Sequence, residues 1–181
     1  MASHYRSTTK HDSNEQITES KVLKATDLDI AWGGDERYWR WIPRGKITGE
    51  SNSTEIVAEL LQVSWLEVSA RVPAKMFLPS TKYEVTFHII WKPDAFGWKD
   101  VEVYVVVWFK NKEPVDYVQV DVQKSKEQTV PPELGPISFT TPANLEDDMI
   151  FGLYEVWSQQ WKGGLVILGA KITKSQDSKS S

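Results

Sequence analysis

The sequence predicts an all-β domain, a sandwich or barrel, on three observations. Apolar residues alternate with period two in several segments, the spacing that sends successive side chains to opposite faces of a strand. Turn formers cut the chain into short pieces: Gly33-Gly34, Pro43, Pro73, Pro79, Pro93, Pro114, Pro131-Pro132 and Gly163-Gly164. No linker-like tract interrupts residues 22–173, so the 181 residues, 40% of them hydrophobic, are read as one domain with a real core. Many short strands with regular turn signals imply a sandwich or barrel.

Along the chain, residues 1–21 are rich in Ser, Thr, Asn, Gln and Lys with Tyr5 their only aromatic, and a disordered polar tail is expected there. Strands are expected at 24–32, 38–42, 59–72, 83–91, 101–109, 115–122, 137–140, 149–157 and 165–172. The apolar phase switches inside 61–72, from Leu61, Val63 and Trp65 to Leu66, Val68, Ala70 and Val72. A β-bulge near Trp65-Leu66 would produce that switch, with a short helix over 53–61 as the alternative. Tyr83, Val85, Phe87, Ile89 and Trp91 share one face of a half-exposed strand. Residues 101–109 are apolar almost throughout, as in a central strand buried on both faces. Residues 174–181 form a second polar tail.

Composition excludes several chemistries. With no Cys there are no disulfides, thiol nucleophiles or thiolate metal sites, and an intracellular, cytoplasmic protein is expected. Of three His, two (His4 and His11) lie in the polar start, so histidine metal or triad chemistry is not expected. No apolar run reaches signal-peptide or membrane-helix length. Asn52-Ser53-Thr54 is read as a polar loop. The formal charge of −4 argues against nucleic acid, whose binding rests on a basic surface. No phosphate loop, nucleophile elbow or metal-spaced set is visible, so no enzyme activity, metal or cofactor is expected.

The nine Trp, beside six Tyr and six Phe, exceed average usage and need an explanation, which their clustering suggests. A first cluster runs Trp32-Gly33-Gly34-Asp35-Glu36-Arg37-Tyr38-Trp39-Arg40-Trp41. Alternation places Trp39 and Trp41 on one face and Tyr38 and Arg40 on the other. A pyranose has a C–H-lined face that packs on indole, and carboxylate, amide and indole N–H groups bind its hydroxyls. Some of these rings are also expected to serve only the core. A second cluster, Tyr154-Glu155-Val156-Trp157-Ser158-Gln159-Gln160-Trp161-Lys162-Gly163-Gly164, puts Glu155 on the face of apolar Phe151 and Leu153. Its carboxylate either pairs with a base such as Arg71 or Lys162 or waits for a ligand. Asp147-Asp148 reads as a solvated turn from which Asp148 could reach the same cavity. The loop Asp94-Ala95-Phe96-Gly97-Trp98-Lys99-Asp100 is read as pinned by its own rings. Trp65, Trp91 and Trp108 are assigned to strands and core.

Five segments in order resemble the plant phloem protein 2 family, the Nictaba-like lectins: Asp29-Ile30-Ala31-Trp32, Tyr38-Trp39-Arg40-Trp41, Val63-Ser64-Trp65-Leu66-Glu67-Val68, Phe96-Gly97-Trp98, and Leu153-Tyr154-Glu155 with Trp161-Lys162-Gly163-Gly164-Leu165. The likeness covers residues 24 to 173. It implies a jelly-roll β-sandwich of two antiparallel sheets, non-enzymatic, often a homodimer, that binds N-acetylglucosamine oligomers (chitin fragments) and N-glycan cores. It also implies sugar-binding roles for Trp32 and Trp39, and acidic partners matching Glu155 and Asp148. Trp41 and Trp161 join them on the physical reading. Where lysine-rich members carry a nuclear signal this chain has Gln123-Lys124-Ser125-Lys126-Glu127-Gln128, so nuclear import is not expected. A competing expectation is a phloem or stress-related module that binds protein or RNA, its Trp being core.

Overall fold

The structure, a computed structural model, describes residues 4–8, 15–110, 112–113, 115–129 and 132–176. Its strands are β1 (Ser20–Lys24), β2 (Asp29–Ile30), β3 (Trp39–Pro43), β4 (Ile56–Leu60), β5 (Leu66–Val72), β6 (Lys82–Phe96), β7 (Val103–Phe109), β8 (Asp116–Val120), β9 (Glu133–Thr140), β10 (Met149–Glu155) and β11 (Gly163–Lys174). They form two antiparallel sheets. One has the order β3-β4-β11-β6-β9, with β1 also paired to β11; the other has the order β2-β5-β10-β7-β8. The long β11 serves two partners on one side, pairing with β4 at residues 165–167 and with β1 at residues 169–173. The chain passes to the other sheet after every strand except β3 and β7, which are followed by their own neighbours β4 and β8, the connectivity of a two-sheet sandwich.

Between the sheets lie the inward positions of each strand: Tyr83, Val85, Phe87 and Ile89 from β6 face Val103, Val105, Val107, Phe151 and Leu153 from β7 and β10. Phe87 meets Phe151 at 5.6 Å across the interface. Burying a large apolar side chain of this kind contributes roughly 1.5–3 kcal/mol.

Several expectations change. The strand expected at 24–32 is broken by a helical turn at Ala25–Asp27, because the Asp27 carboxylate takes the Lys24 N–H at 2.8 Å and closes the backbone. The phase switch inside 61–72 is neither a bulge nor a helix. The chain leaves one sheet at Leu60 and enters the other at Leu66, so "inward" reverses between them. The strand at 101–109 is not doubly buried: Tyr104, Val106 and Trp108 face outward and are half-buried, and β10 holds the centre of that sheet. The segment 115–122 ends at Asp121, whose carboxylate accepts the Lys124 N–H at 2.9 Å and caps the short helix Val122–Lys126.

The polar start also differs from the disordered tail expected, at its described residues. Tyr5 and Ile30 exchange both backbone hydrogen bonds at 2.9 Å, an isolated antiparallel bridge on the edge of β2. Ser7 N–H donates to Asp29 at 2.8 Å, and Ile17 is buried with its carbonyl accepting the Tyr83 hydroxyl at 2.9 Å. Composition misjudges this stretch because a few anchors suffice where an open strand edge supplies the backbone partners. Residues 1–3, 9–14 and 177–181 of the expected tails lie outside the described residues. Among the described residues no helix is long and apolar enough to cross a membrane.

Candidate functional site

At one end of the sandwich the turn after β2 carries Trp32 at φ +65°, a left-handed conformation unusual for a bulky side chain. What holds it there is the N-terminal segment. His4 Nδ1 accepts the Trp32 N–H at 3.1 Å, and the two rings lie 5.9 Å apart. Tyr5 packs on Trp41 at 4.4 Å, and Trp41 donates its indole N–H to the Gly33 carbonyl at 2.8 Å. Gly33 is required by this approach, since a Cβ there would come within 2.7 Å of the Tyr5 Cβ.

Trp32 forms one wall of a cavity of about 510 Å³ lined by His4, Trp32, Tyr38, Val63, Ser64, Trp65, Glu67 and Trp161. Tyr38 meets Trp32 edge to face at 5.6 Å and lies nearly parallel to Trp161 at 6.3 Å. The Arg37 guanidinium sits 5.2 Å over the Tyr38 ring, steadied by an ion pair with Asp35 at 2.7 Å. The Asp35 hydrogen bonds from Arg37 hold that carboxyl below its usual range. On the opposite wall Trp65, 46% exposed, donates its indole N–H to Glu67 Oε2 at 2.9 Å. The cavity therefore has indole and phenol walls and a half-buried carboxylate fixed by an indole donor.

Trp161 reaches this cavity from the connection between β10 and β11. Glu155 and Lys162, both without solvent access, are ion-paired across its ends. Glu155 Oε1 also accepts the Ser158 N–H at 3.0 Å, and Lys162 Nζ donates to the Gln160 carbonyl at 2.7 Å. Lys162 and Val63 exchange backbone hydrogen bonds at 2.9 Å, which ties the connection to the chain leading into β5. The expected loop at 94–100 is strand as far as Phe96, the end of β6, and Gly97, at φ +79°, lets the loop that follows approach: a Cβ there would lie 1.9 Å from the Trp161 carbonyl oxygen. That loop is pinned by Trp98, which is buried and donates to the Gly163 carbonyl at 2.8 Å.

The six residues singled out from sequence divide three ways. Trp32 and Trp161 line the cavity, Trp161 with 52% of its surface exposed. Trp41 and Glu155 stand behind it, Trp41 under the Trp32 turn and Glu155 inside the 155–162 connection; of the alternatives for Glu155, Lys162 is its partner. Trp39 and Asp148 lie elsewhere, a correction for both. Trp39 is 1% exposed and belongs to the core, its indole N–H without a hydrogen-bond partner among the described residues. Alternation along β3 turns Trp39 inward, and its neighbour Tyr38 faces the cavity instead. Asp148 sits at the far end of β10, roughly 23 Å from Glu155 at the rise of a strand, and pairs with Arg71 at 3.8 Å.

Sequence reading missed His4, Tyr38, Ser64, Trp65 and Glu67. For Trp65 a signal existed: it stands where the apolar phase breaks, so it belongs to no strand face. Among the described residues no three His, Asp or Glu side chains converge to hold a metal ion. What the arrangement can do is stack a ring and accept hydrogen bonds from it.

The phloem protein 2 family model matches residues 18–174. An Arabidopsis thaliana relative, Phloem protein 2-like A9, is 30% identical over 179 residues, covering 92% of this chain and 93% of that protein. A Luffa acutangula protein named lectin is 37% identical over 78 residues, which is 43% of this chain and 35% of that protein, so the match spans about a third of its length. Among solved structures, a Podospora anserina GH26-CBM35 β-(1,4)-mannanase matches in fold with a TM-score of 0.52 at 9% identity, over 90% of this chain and 29% of that one.

Proposed function

Because this chain belongs to the phloem protein 2 family, we propose that it is a non-catalytic carbohydrate-binding module whose ligands are N-acetylglucosamine oligomers and the N-acetylglucosamine cores of N-glycans. One observation carries the reading: three aromatic walls, Trp32, Tyr38 and Trp161, face a carboxylate, Glu67, held in place by the Trp65 indole. A pyranose ring has apolar C–H faces and a rim of hydroxyl and amide donors. Trp161 and Trp32 stack the faces, and Glu67 accepts from the rim. Glu155 acts through Lys162 and the connection, as a positioning residue. We propose further that the module works in the plant cytoplasm as a homodimer, the expectation that the resemblance suggests; sedimentation of the purified chain tests the dimer.

A glycan array followed by calorimetric titration with chitotriose tests the function. Binding that survives added salt and is lost in Trp161→Ala supports it. No signal on the array, or binding only to RNA with a steep salt dependence, overturns it in favour of an interaction module.

A further inference from the structure

Glu67 belongs to two surfaces. It lines the cavity, and in β5 it points to the outer face of the five-stranded sheet, where it is the register partner of Tyr154 in β10. Tyr154 is in turn the partner of Tyr104 in β7, and Tyr104 of Gln119 in β8. Glu67, Tyr154, Tyr104 and Gln119 thus form one cross-strand row: two phenols between a carboxylate and an amide, with no cation in it. At about 4.8 Å between strands the row extends roughly 14 Å away from the cavity.

The rings beside the row are exposed. Trp157, 49% exposed, meets Tyr104 edge to face at 5.3 Å, and Tyr117, 67% exposed, meets it at 5.9 Å. Trp157 donates its indole N–H to the Glu102 carbonyl at 2.9 Å, so its ring is held against the sheet. Trp157 and Trp161 stand in the same connection, which the Glu155–Lys162 pair and the Ser158 hydrogen bond clamp at both ends. One rigid segment presents one indole to the cavity and another to the sheet face.

We propose that this face is a second binding subsite, continuous with the cavity through Glu67, and that its occupant is the continuation of the same oligosaccharide chain. The inference rests on the carbohydrate reading of the cavity. The chemistry of the row favours a neutral sugar chain: two adjacent aromatic rings are flanked by a carboxylate and an amide, and the row lacks the cations that an anionic polymer or lipid surface requires.

The experiment is calorimetric titration of the full chain with chitobiose and with chitohexaose, on wild type, Trp157→Ala, Tyr117→Ala and Trp161→Ala, with each unfolding midpoint measured. Wild type is expected to bind the hexamer about tenfold more tightly than the dimer. Trp157→Ala and Tyr117→Ala are expected to lose that difference while keeping dimer affinity, and Trp161→Ala to weaken both. Tyr117→Ala guards against loss of folding, since its ring is largely outside the fold. If wild type binds both lengths equally, or if the Trp157 and Tyr117 variants weaken both lengths alike or neither, the second subsite is wrong and the cavity stands. If wild type binds neither sugar, the cavity reading falls and this one with it. A hexamer advantage accompanied by a rise in sedimenting mass when the hexamer is added, absent with the dimer sugar, shows one sugar chain bridging two copies and also overturns the subsite.

Discussion

Glu155 and Lys162 form an ion pair with no solvent access at either side chain, closing the ends of the connection that presents Trp157 and Trp161. Charges buried in this way are held by their mutual attraction and by the hydrogen bonds that satisfy their remaining atoms, here from Ser158 N–H to Glu155 and from Lys162 to the Gln160 carbonyl. Neither charged group of the pair is open to solvent. The consequence of the pair is geometric, because it fixes where two indoles stand.

Removing one partner leaves the other charge buried alone. Lys162→Met is therefore expected to destabilise the fold by about 3–5 kcal/mol, and the double variant Glu155→Leu, Lys162→Met to recover most of that loss. Urea denaturation checks both, and equal stability of the single and double variants would refute the role given to the pair.

Trp39 and Trp161 are expected to separate stability from binding. Trp39→Ala empties a core position and should cost roughly 3–5 kcal/mol of folding stability. Trp161→Ala should leave the unfolding midpoint almost unchanged and cost about 2 kcal/mol in chitotriose affinity. A Trp39 variant that folds normally but no longer binds would reverse the assignment.

The N-terminal segment is expected to behave as part of the cavity. Tyr5→Ala removes its ring contact with Trp41 and its hydroxyl bond to the Thr26 carbonyl at 2.9 Å. Freed from that anchor, the Trp32 turn loses the His4 acceptor, and affinity for chitotriose should fall about tenfold, or 1.4 kcal/mol. Amide exchange at Trp32 should rise in parallel; unchanged exchange and affinity would show that the turn stands without the segment.

Tyr154 makes stability depend on alkaline pH. Burial pushes its hydroxyl up to about 12, the nearby Glu67 carboxylate adds to the rise, and the Ser69 hydrogen bond opposes it. The folded chain therefore holds this proton more tightly than the unfolded chain, whose tyrosine titrates near 10. The stabilisation is full below pH 10 and is lost as pH rises through about 12. Over that window the wild-type urea midpoint should fall more steeply than that of Tyr154→Phe, and parallel slopes would contradict it.

Much of the fold was legible because period-two patterning reports burial directly, as along 83–91, and because turn residues bound the apolar runs 101–109 and 149–157; all three contain strands of the sandwich. The site was legible in part. Trp32 and Trp161 stood out by clustering with Gly and acidic neighbours. Glu67 did not, because a single carboxylate alternating with Leu66 and Val68 looks like any outward residue of a strand. Trp39 was assigned to the site by the resemblance, which matches residue types in order and does not register that this ring turns into the core.

By itself the sequence determined that the chain is all-β, which residues of its clearly alternating strands turn inward, and that five of the nine Trp gather in two Gly-flanked segments. Those properties are local, set by backbone period, turn residues and side-chain chemistry within a few positions. Only the tertiary structure decided that 61–72 divides between two sheets, that His4 and Tyr5 close the Trp32 turn, that Glu155 answers Lys162, and that Glu67 is the carboxylate facing the rings. Each of these joins segments remote in sequence, or turns on which way a side chain points. Strand register and sheet packing settle such relationships, and neither is written in the spacing of one segment.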